Sequence, residues 1–161
     1  MRRLPGNQRG MTLAEILVAI AIIGVGLAAL AAAIPLSGYG IQEGSQLSTA
    51  TFLANERLEQ VKNATWTATP AADNFGVSSG DAAPQSGGIT TFPDEASVAA
   101  PYTAYSRKVR VLDCAGGGGC AGITDANLRQ VTVTVTYRPL TGVGQSPATK
   151  AATVTMLIAK R

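Results

Sequence analysis

Histidine is absent from this chain of 161 residues, and charged residues make up only 14% of it. Histidine is the most common general base and metal ligand, so its absence removes those roles and every histidine-dependent catalytic triad. The sequence also has no motif of an activated nucleophile. The composition therefore argues against an enzyme, and we expect no cofactor, no catalytic residue and no metal site.

Charge is missing altogether from Ile16 to Gln42, whereas 46% of the whole chain is hydrophobic. The run Met11–Ile34 consists mainly of Leu, Ile, Ala and Val, and it predicts a helix. A helix of about 24 residues is about 36 Å long, enough to cross the roughly 30 Å hydrocarbon core of a bilayer. Because Pro35 follows, we expect a kink or a brief unwinding between Pro35 and Gly40.

Acidic residues are missing from the first ten positions, which contain Arg2, Arg3 and Arg9. These arginines account for the net charge of +3, because the remaining chain holds ten basic and ten acidic side chains. A short basic segment before an apolar one is typical of a membrane-targeting signal whose positive end stays in the cytoplasm. The basic pI is thus a property of the leader, and we do not expect nucleic acid to be a partner.

Beyond Gly44, apolar residues recur every three or four positions, which predicts an amphipathic helix with one face buried against a sheet. The predicted stripe consists of Leu47, Ala50, Ala54, Leu58 and Val61. We expect this helix to end near Asn63. The segment 67–101 is rich in small and polar residues and has little periodicity, so we predict an irregular connection with a short strand around Gly88–Phe92.

Three later segments alternate apolar and polar residues with a period of two, which predicts half-buried strands. They are Tyr105–Asp113, Gln130–Tyr137 and Lys150–Ala159. The connections between them are short and contain Gly or Pro, which favours an antiparallel meander. The predicted fold class is therefore α+β, with one long N-terminal helix packed on a small C-terminal antiparallel β-sheet.

One short segment points to a known family. The residues Gly10-Met11-Thr12-Leu13-Ala14-Glu15, with the apolar run after them, resemble the type IV prepilin motif. That family has a short leader ending in Gly, then usually Phe, then Thr-Leu, one further residue, Glu and a long apolar run. Here Met11 stands where Phe is most common. The resemblance implies the pilin fold, cleavage after Gly10 by a prepilin peptidase, and methylation of the new Met11 amine by the same enzyme.

Glu15 lies inside the apolar segment, where insertion of a carboxylate costs about 2.5–3.5 kcal/mol, and such a residue is by default a functional one. After cleavage the Met11 amine would be a cation about 6 Å away along the helix. In a staggered filament the carboxylate of one subunit would meet the amine of its neighbour, neutralise both charges and fix the axial register. The alternative that position alone leaves open is a glutamate that reaches the headgroups without any partner.

The family resemblance extends to finer features. Phe52–Glu59 and the later Val-Thr alternation look similar to minor pilins of the PilV type and to I-type pseudopilins of type II secretion, and a major pilin is the alternative. The implied partners are prepilin peptidase, other pilin or pseudopilin subunits and an inner-membrane assembly platform. The implied location is the bacterial inner membrane, single-pass, with a periplasmic C-terminal domain that joins a filament after assembly. The expected domains are a leader (1–10), a transmembrane assembly helix (11–36) and a pilin head domain with the amphipathic half-helix (37–161).

A second functional class fits the same N-terminus, namely a secreted binding module or enzyme with an ordinary Sec signal peptide. The small residues Ala31-Ala32-Ala33 offer a cleavage site that would give a mature start at Ile34. Against this alternative, Glu15 interrupts the start of the apolar core. A third alternative, an uncleaved signal anchor, has the same topology as a pilin but keeps the leader.

Cys114 and Cys120 flank a glycine-rich loop, and we predict a disulfide between them because an exported domain lies in an oxidising compartment. The loop-entropy model gives such a bond about 2.3 kcal/mol of stabilisation. Two cysteines without histidine are too few for a zinc site. The acidic residues of the loops match no calcium-loop spacing, so we expect them to be solvated and keep calcium binding as the alternative. They are Asp73, Asp81, Asp94, Glu95 and Asp125.

Overall fold

The protein is described from a computed structural model. The structure describes residues 10–67, 72–116, 120–139 and 149–160. The chain divides into two compact units, residues 1–41 and residues 42–161, called here the N-terminal and the C-terminal unit. The leader arginines Arg2, Arg3 and Arg9 lie outside the described residues.

A single α-helix, α1, extends over Leu13–Lys62 and ends within one residue of the predicted Asn63. It continues through residues 35–40, so the brief unwinding expected there does not occur. Proline removes one helical hydrogen bond and disturbs the preceding turn, and the long apolar helix accommodates this loss without ending.

From Leu13 to Ile34, α1 has no buried face. Every large apolar side chain from Leu13 to Ile34 is exposed, between 44% and 77% of its surface. Within the described residues, α1 is the one helix long and apolar enough to cross a membrane, judged by length and composition. Such a surface is unfavourable in water, so this segment requires lipid or protein neighbours.

The strands all belong to the C-terminal unit. Strands β1 (Gln85–Ser86) and β2 (Ile89–Thr90) form a small antiparallel hairpin, and β2 lies within the predicted Gly88–Phe92 strand. Strands β3 (Tyr105–Asp113), β4 (Leu128–Tyr137) and β5 (Lys150–Ala159) form an antiparallel sheet in the order β3-β4-β5. The predicted meander and α+β class are therefore confirmed, and β4 begins two residues earlier than predicted.

The hydrophobic core lies between one face of this sheet and the C-terminal half of α1. The sheet contributes Val109, Val111, Val131, Val133 and Val135, each no more than 1% exposed. The helix contributes Ala50, Leu53, Ala54, Leu58 and Val61. The predicted stripe is wrong at Leu47, which is 47% exposed, because burial of α1 begins one turn later than the periodicity indicates. The predicted stripe also misses Leu53, which belongs to the core.

Candidate functional site: the helix start and the charged clusters

The first turn of α1 is capped by the residue before it. Thr12 Oγ1 accepts a hydrogen bond from the Glu15 backbone N–H at 3.3 Å, and the Thr12 carbonyl accepts from the N–H groups of Glu15 and Ile16. Thr and Glu three residues apart are the residue types of a capping box, and a carboxylate in the first turn also favours the helix dipole. The Thr-Leu-Ala-Glu sequence therefore serves helix initiation as well as any contact between subunits.

Glu15 differs from the other nine acidic residues of the chain. Seven of them form ion pairs: Glu43, Glu56, Glu59, Asp73, Asp81, Asp94 and Glu95. Asp113 and Asp125 each accept a backbone N–H two residues further on. Among the described residues, which include all ten acids, the Glu15 carboxylate alone has no charged or hydrogen-bonding partner within the chain.

A first charged cluster joins α1 to the sheet. Arg107, on the inner face of β3, is 6% exposed and holds both carboxylate oxygens of Glu95 at 2.9–3.2 Å. Its Nη1 donates to the Leu53 carbonyl at 3.1 Å and to Glu56 at 3.3 Å. Arg57 adds a second cation 3.1 Å from Glu95, and burial is the main cause that lowers the pKa of Arg57. These contacts fix the segment around Glu95 against both the helix and the sheet.

A second cluster surrounds Arg129, on the inner face of β4. Its guanidinium donates to Asp73 at 2.9 Å and to the Gly76 carbonyl at 3.4 Å. The Arg129 Cζ also lies 4.4 Å from the ring centre of Trp66 and 5.4 Å from that of Phe75, within cation–π range. Because the side chains of Arg129 and Asp73 are only 10% and 6% exposed, each charge depends on the other.

A third cluster lies on the outer face of β3. Arg110 donates to Asp81 at 2.8 Å and to Asp94 at 2.6 Å, and so ties two loop positions to one strand. The hydrogen bond to Arg110 is the largest cause that lowers the pKa of both carboxyl groups. The bond to Asp94 is likewise the largest cause that raises the pKa of Arg110.

We expect Arg110→Gln to lower the melting temperature more at pH 7 than in acid. A carboxyl group whose pKa is lowered by folding contributes stability above its ordinary pKa, and that contribution is lost as the pH falls through the lower folded pKa. The difference between the variant and the parent should therefore shrink below about pH 3.9. Thermal unfolding of both proteins across this range measures it.

Lys108→Gln is the matched control for that experiment. Lys108 lies on the same face of β3, and its replacement by Gln removes the same charge. Its single ion pair, to Asp81, is 3.6 Å long and largely exposed. The loss of melting temperature in Lys108→Gln should therefore depend less on pH than the loss in Arg110→Gln. An Arg110→Gln effect of equal size at neutral and acid pH would contradict the role of these two carboxylates.

The sequence led us to expect that the loop acids are solvated, and Asp81, Asp94 and Asp125 are indeed exposed, whereas Glu95 is partly buried and Asp73 is buried. Four of the five are paired with arginine, and Asp125 closes a turn. Within the described part of the chain no three acids, cysteines or histidines are grouped so as to hold a metal ion. Sequence reasoning also missed the buried arginines. Arg107 lies two residues before Val109, and Arg129 lies two residues before Val131. The period-two pattern therefore already places both arginines on the inner face of the sheet.

A disulfide bond joins Cys114 and Cys120, which is the pairing that the sequence predicts. The two Cα atoms are 5.3 Å apart, and both residues are at most 1% exposed. The bond follows the end of β3, where the Cys114 N–H donates to the Leu128 carbonyl at the start of β4. It therefore closes the turn region that leads from β3 towards β4.

Comparison with protein families assigns residues 5–31 to the prokaryotic N-terminal methylation motif. No curated protein and no solved structure matches the chain significantly. The matched residues include Gly10, Glu15 and most of the exposed apolar part of α1. Proteins with this motif are structural rather than enzymatic. The motif, together with the α+β architecture, supports a type IV pilin-like protein.

Proposed function

We propose that the protein is a structural subunit of a type IV pilus or a type II secretion filament. It is inserted in the inner membrane, cleaved after Gly10 by a prepilin peptidase, and drawn into the filament through the N-terminal part of α1. An inner-membrane assembly platform and other pilin or pseudopilin subunits are its partners. The C-terminal unit lies in the periplasm before assembly and on the filament surface afterwards.

The observation that carries this proposal is the unpartnered carboxylate of Glu15 on an exposed apolar helix. In the described part of the chain, every other acid has a partner within its own unit, whereas Glu15 has none. A charge in an apolar environment is strongly unfavourable unless it is paired. The amine created at Met11 of a neighbouring subunit supplies a partner of opposite charge at the depth of Glu15. Neighbouring α1 helices also cover the apolar side chains that the chain leaves exposed.

The small residues of α1 suit this packing. Gly24 and Gly26 have nothing within 4 Å of the position of an added Cβ, and alanines follow at 28, 29 and 31–33. Small residues allow helix backbones to approach closely where lipid gives no hydrophobic driving force. We accordingly assign residues 1–10 to the leader, 11–36 to the transmembrane assembly helix and 37–161 to the head domain.

Within the family we favour a minor pilin of the PilV type or an I-type pseudopilin over a major pilin. This choice is supported by the resemblance of Phe52–Glu59 to those proteins, together with the Val-Thr alternation of β4. Both segments belong to the C-terminal unit, where Leu53, Ala54 and Leu58 form part of the core. Co-purification of the protein with sheared pili or with secretion pseudopili distinguishes the two machines.

The mature protein should begin at Met11 and carry a methylated amine. The expected mass is that of residues 11–161 plus one methyl group, measured on protein extracted from membranes of cells with an active prepilin peptidase. Gly10→Val is the control, because a branched side chain at the cleavage position should leave the leader attached. A mature start at Ile34 would instead indicate a Sec-secreted protein, and an intact leader on the unchanged sequence would indicate a signal anchor.

A further inference from the structure

The two edges of the main sheet differ. The β3 edge is closed by the chain itself, because Arg107 pairs with Glu95 through both backbone groups and Ser78 hydrogen-bonds with Val111. At the β5 edge, the described residues provide no hydrogen-bonding partner on the side away from β4. A free strand edge is a template for another strand, and natural proteins usually shorten it, charge it or interrupt it with proline.

β5 has none of these protections over most of its length. It has ten residues and no proline, and its only charged residue is Lys150 at the first position. The Lys160 N–H donates to the Asn127 carbonyl at 2.8 Å, on the side of β4. The backbone N–H and C=O groups of successive residues in a strand point to opposite sides. The even-numbered residues of β5 therefore bond to β4, and the N–H and C=O groups of the odd-numbered residues from 151 to 159 point to the outer edge.

The side chains of β5 are also incompletely covered. On the inner face, Val154, Met156 and Ile158 are only partly buried, whereas Val131 and Val133 on the neighbouring strand are 0% exposed. On the other face, Leu157 is 43% exposed. One more strand beside β5 would bury this row and extend the core, which is a favourable change in proportion to the apolar area covered.

Charge argues against a second copy of the chain as that strand. Antiparallel pairing of two β5 strands centred on Thr155 places Lys160 of each copy opposite Lys150 of the other. Glu43 already pairs with Lys150, so neither copy supplies an acid for Lys160. Like charges opposite one another destabilise strand pairing. A strand with an acidic residue opposite Lys160 has no such penalty.

We propose that the outer edge of β5 docks an extended segment of a different polypeptide, which alternates apolar and polar residues and carries an acidic residue opposite Lys160. The segment adds a fourth strand next to β5. Its backbone bonds to the odd-numbered residues 151–159, its apolar side chains cover Val154, Met156 and Ile158, and its acid pairs with Lys160. This interaction is separate from filament entry, which involves the N-terminal part of α1.

The test uses the full-length protein in detergent micelles and a fluorescent peptide of alternating Val and Thr with Glu at both ends. The peptide should bind, and the amides of Thr153, Thr155 and Leu157 should become protected from hydrogen exchange. The amides of Val154 and Met156, which already bond to β4, should change little. A peptide with Lys at both ends should bind more weakly.

Two variants separate edge docking from nonspecific adhesion. Lys160→Glu should weaken binding of the Glu-ended peptide and strengthen binding of the Lys-ended peptide, each by about three- to tenfold. Lys108→Glu makes the same charge change on β3 and should alter the binding of neither peptide. Thr155→Pro removes one outward N–H and should abolish binding, whereas Thr155→Ala keeps that N–H and should not.

Several results would overturn the proposal. These are failure of both peptides to bind, equal effects of Lys160→Glu and Lys108→Glu, or binding without protection of the odd-numbered amides. Protection of the same amides in a concentrated sample without peptide would show that a second copy occupies the edge. Each result is independent of whether the protein enters filaments.

Discussion

Glu15→Ala should remove the protein from filaments while leaving it in the membrane and fully processed. Insertion depends on the apolar run, which becomes more apolar in the variant. Cleavage depends on the leader and Gly10, which are unchanged. Entry of the Glu15→Ala variant into a filament, by contrast, would leave the Met11 amine of a neighbouring subunit unpaired among packed helices. A penalty of about 3 kcal/mol lowers incorporation on the order of 100-fold.

Fractionation of cells into membranes and sheared filaments measures this effect, with leader processing followed in the same samples. Glu15→Gln should fail as well, because it keeps the size of the side chain and loses its charge. Glu59→Ala is the matched control, since it removes an exposed acid further along α1 whose partner is Lys62. If the processed Glu15→Ala protein appears in filaments at the parental level, the proposed charge pair is wrong.

Arg129→Ala should destabilise the C-terminal unit by about 3–5 kcal/mol, because it leaves the carboxylate of Asp73 buried without its cation. The substitution also removes the contacts of the guanidinium with the rings of Trp66 and Phe75. A loss of this size is a large part of the stability of a small domain. Urea unfolding of the full-length protein measures it by circular dichroism and by the fluorescence of Trp66, the only tryptophan of the chain.

The double variant Asp73→Asn, Arg129→Met should recover part of the lost stability, because it removes both charges and keeps an apolar side chain against the rings. Lys108→Ala provides the control for loss of an exposed cation and should change the free energy of unfolding by less than about 0.5 kcal/mol. A loss below about 1 kcal/mol in Arg129→Ala would show that Asp73 is not dependent on this partner.

The sheet was predictable because its three long strands alternate strictly between core and solvent. The ends of β3 and β5 agree with the prediction, and the outward threonines of β4 and β5 pair through their hydroxyl groups at 3.2–3.3 Å. The alternation also places Arg107 and Arg129 inward. Their partners, however, are 12 and 56 residues distant in sequence, and no local pattern indicates such pairings.

The helix shows the opposite limitation. Its start, its end and its apolar character follow from local sequence, including the threonine that caps it. Its behaviour at Pro35 does not, because the cost of one missing hydrogen bond competes with many favourable helical contacts on both sides. The burial of Leu53 in place of Leu47 depends on where the sheet meets α1, which sequence periodicity cannot specify.

The internal pairing of most acidic residues with cations also determines the electric field outside the molecule. Beyond the leader the chain holds ten basic and ten acidic side chains, and seven of the acids lie within 4 Å of a cation of the same unit. Opposite charges at such short range cancel over longer distances. Many copies can therefore crowd together with little mutual repulsion, and the rate at which they meet should vary little with ionic strength.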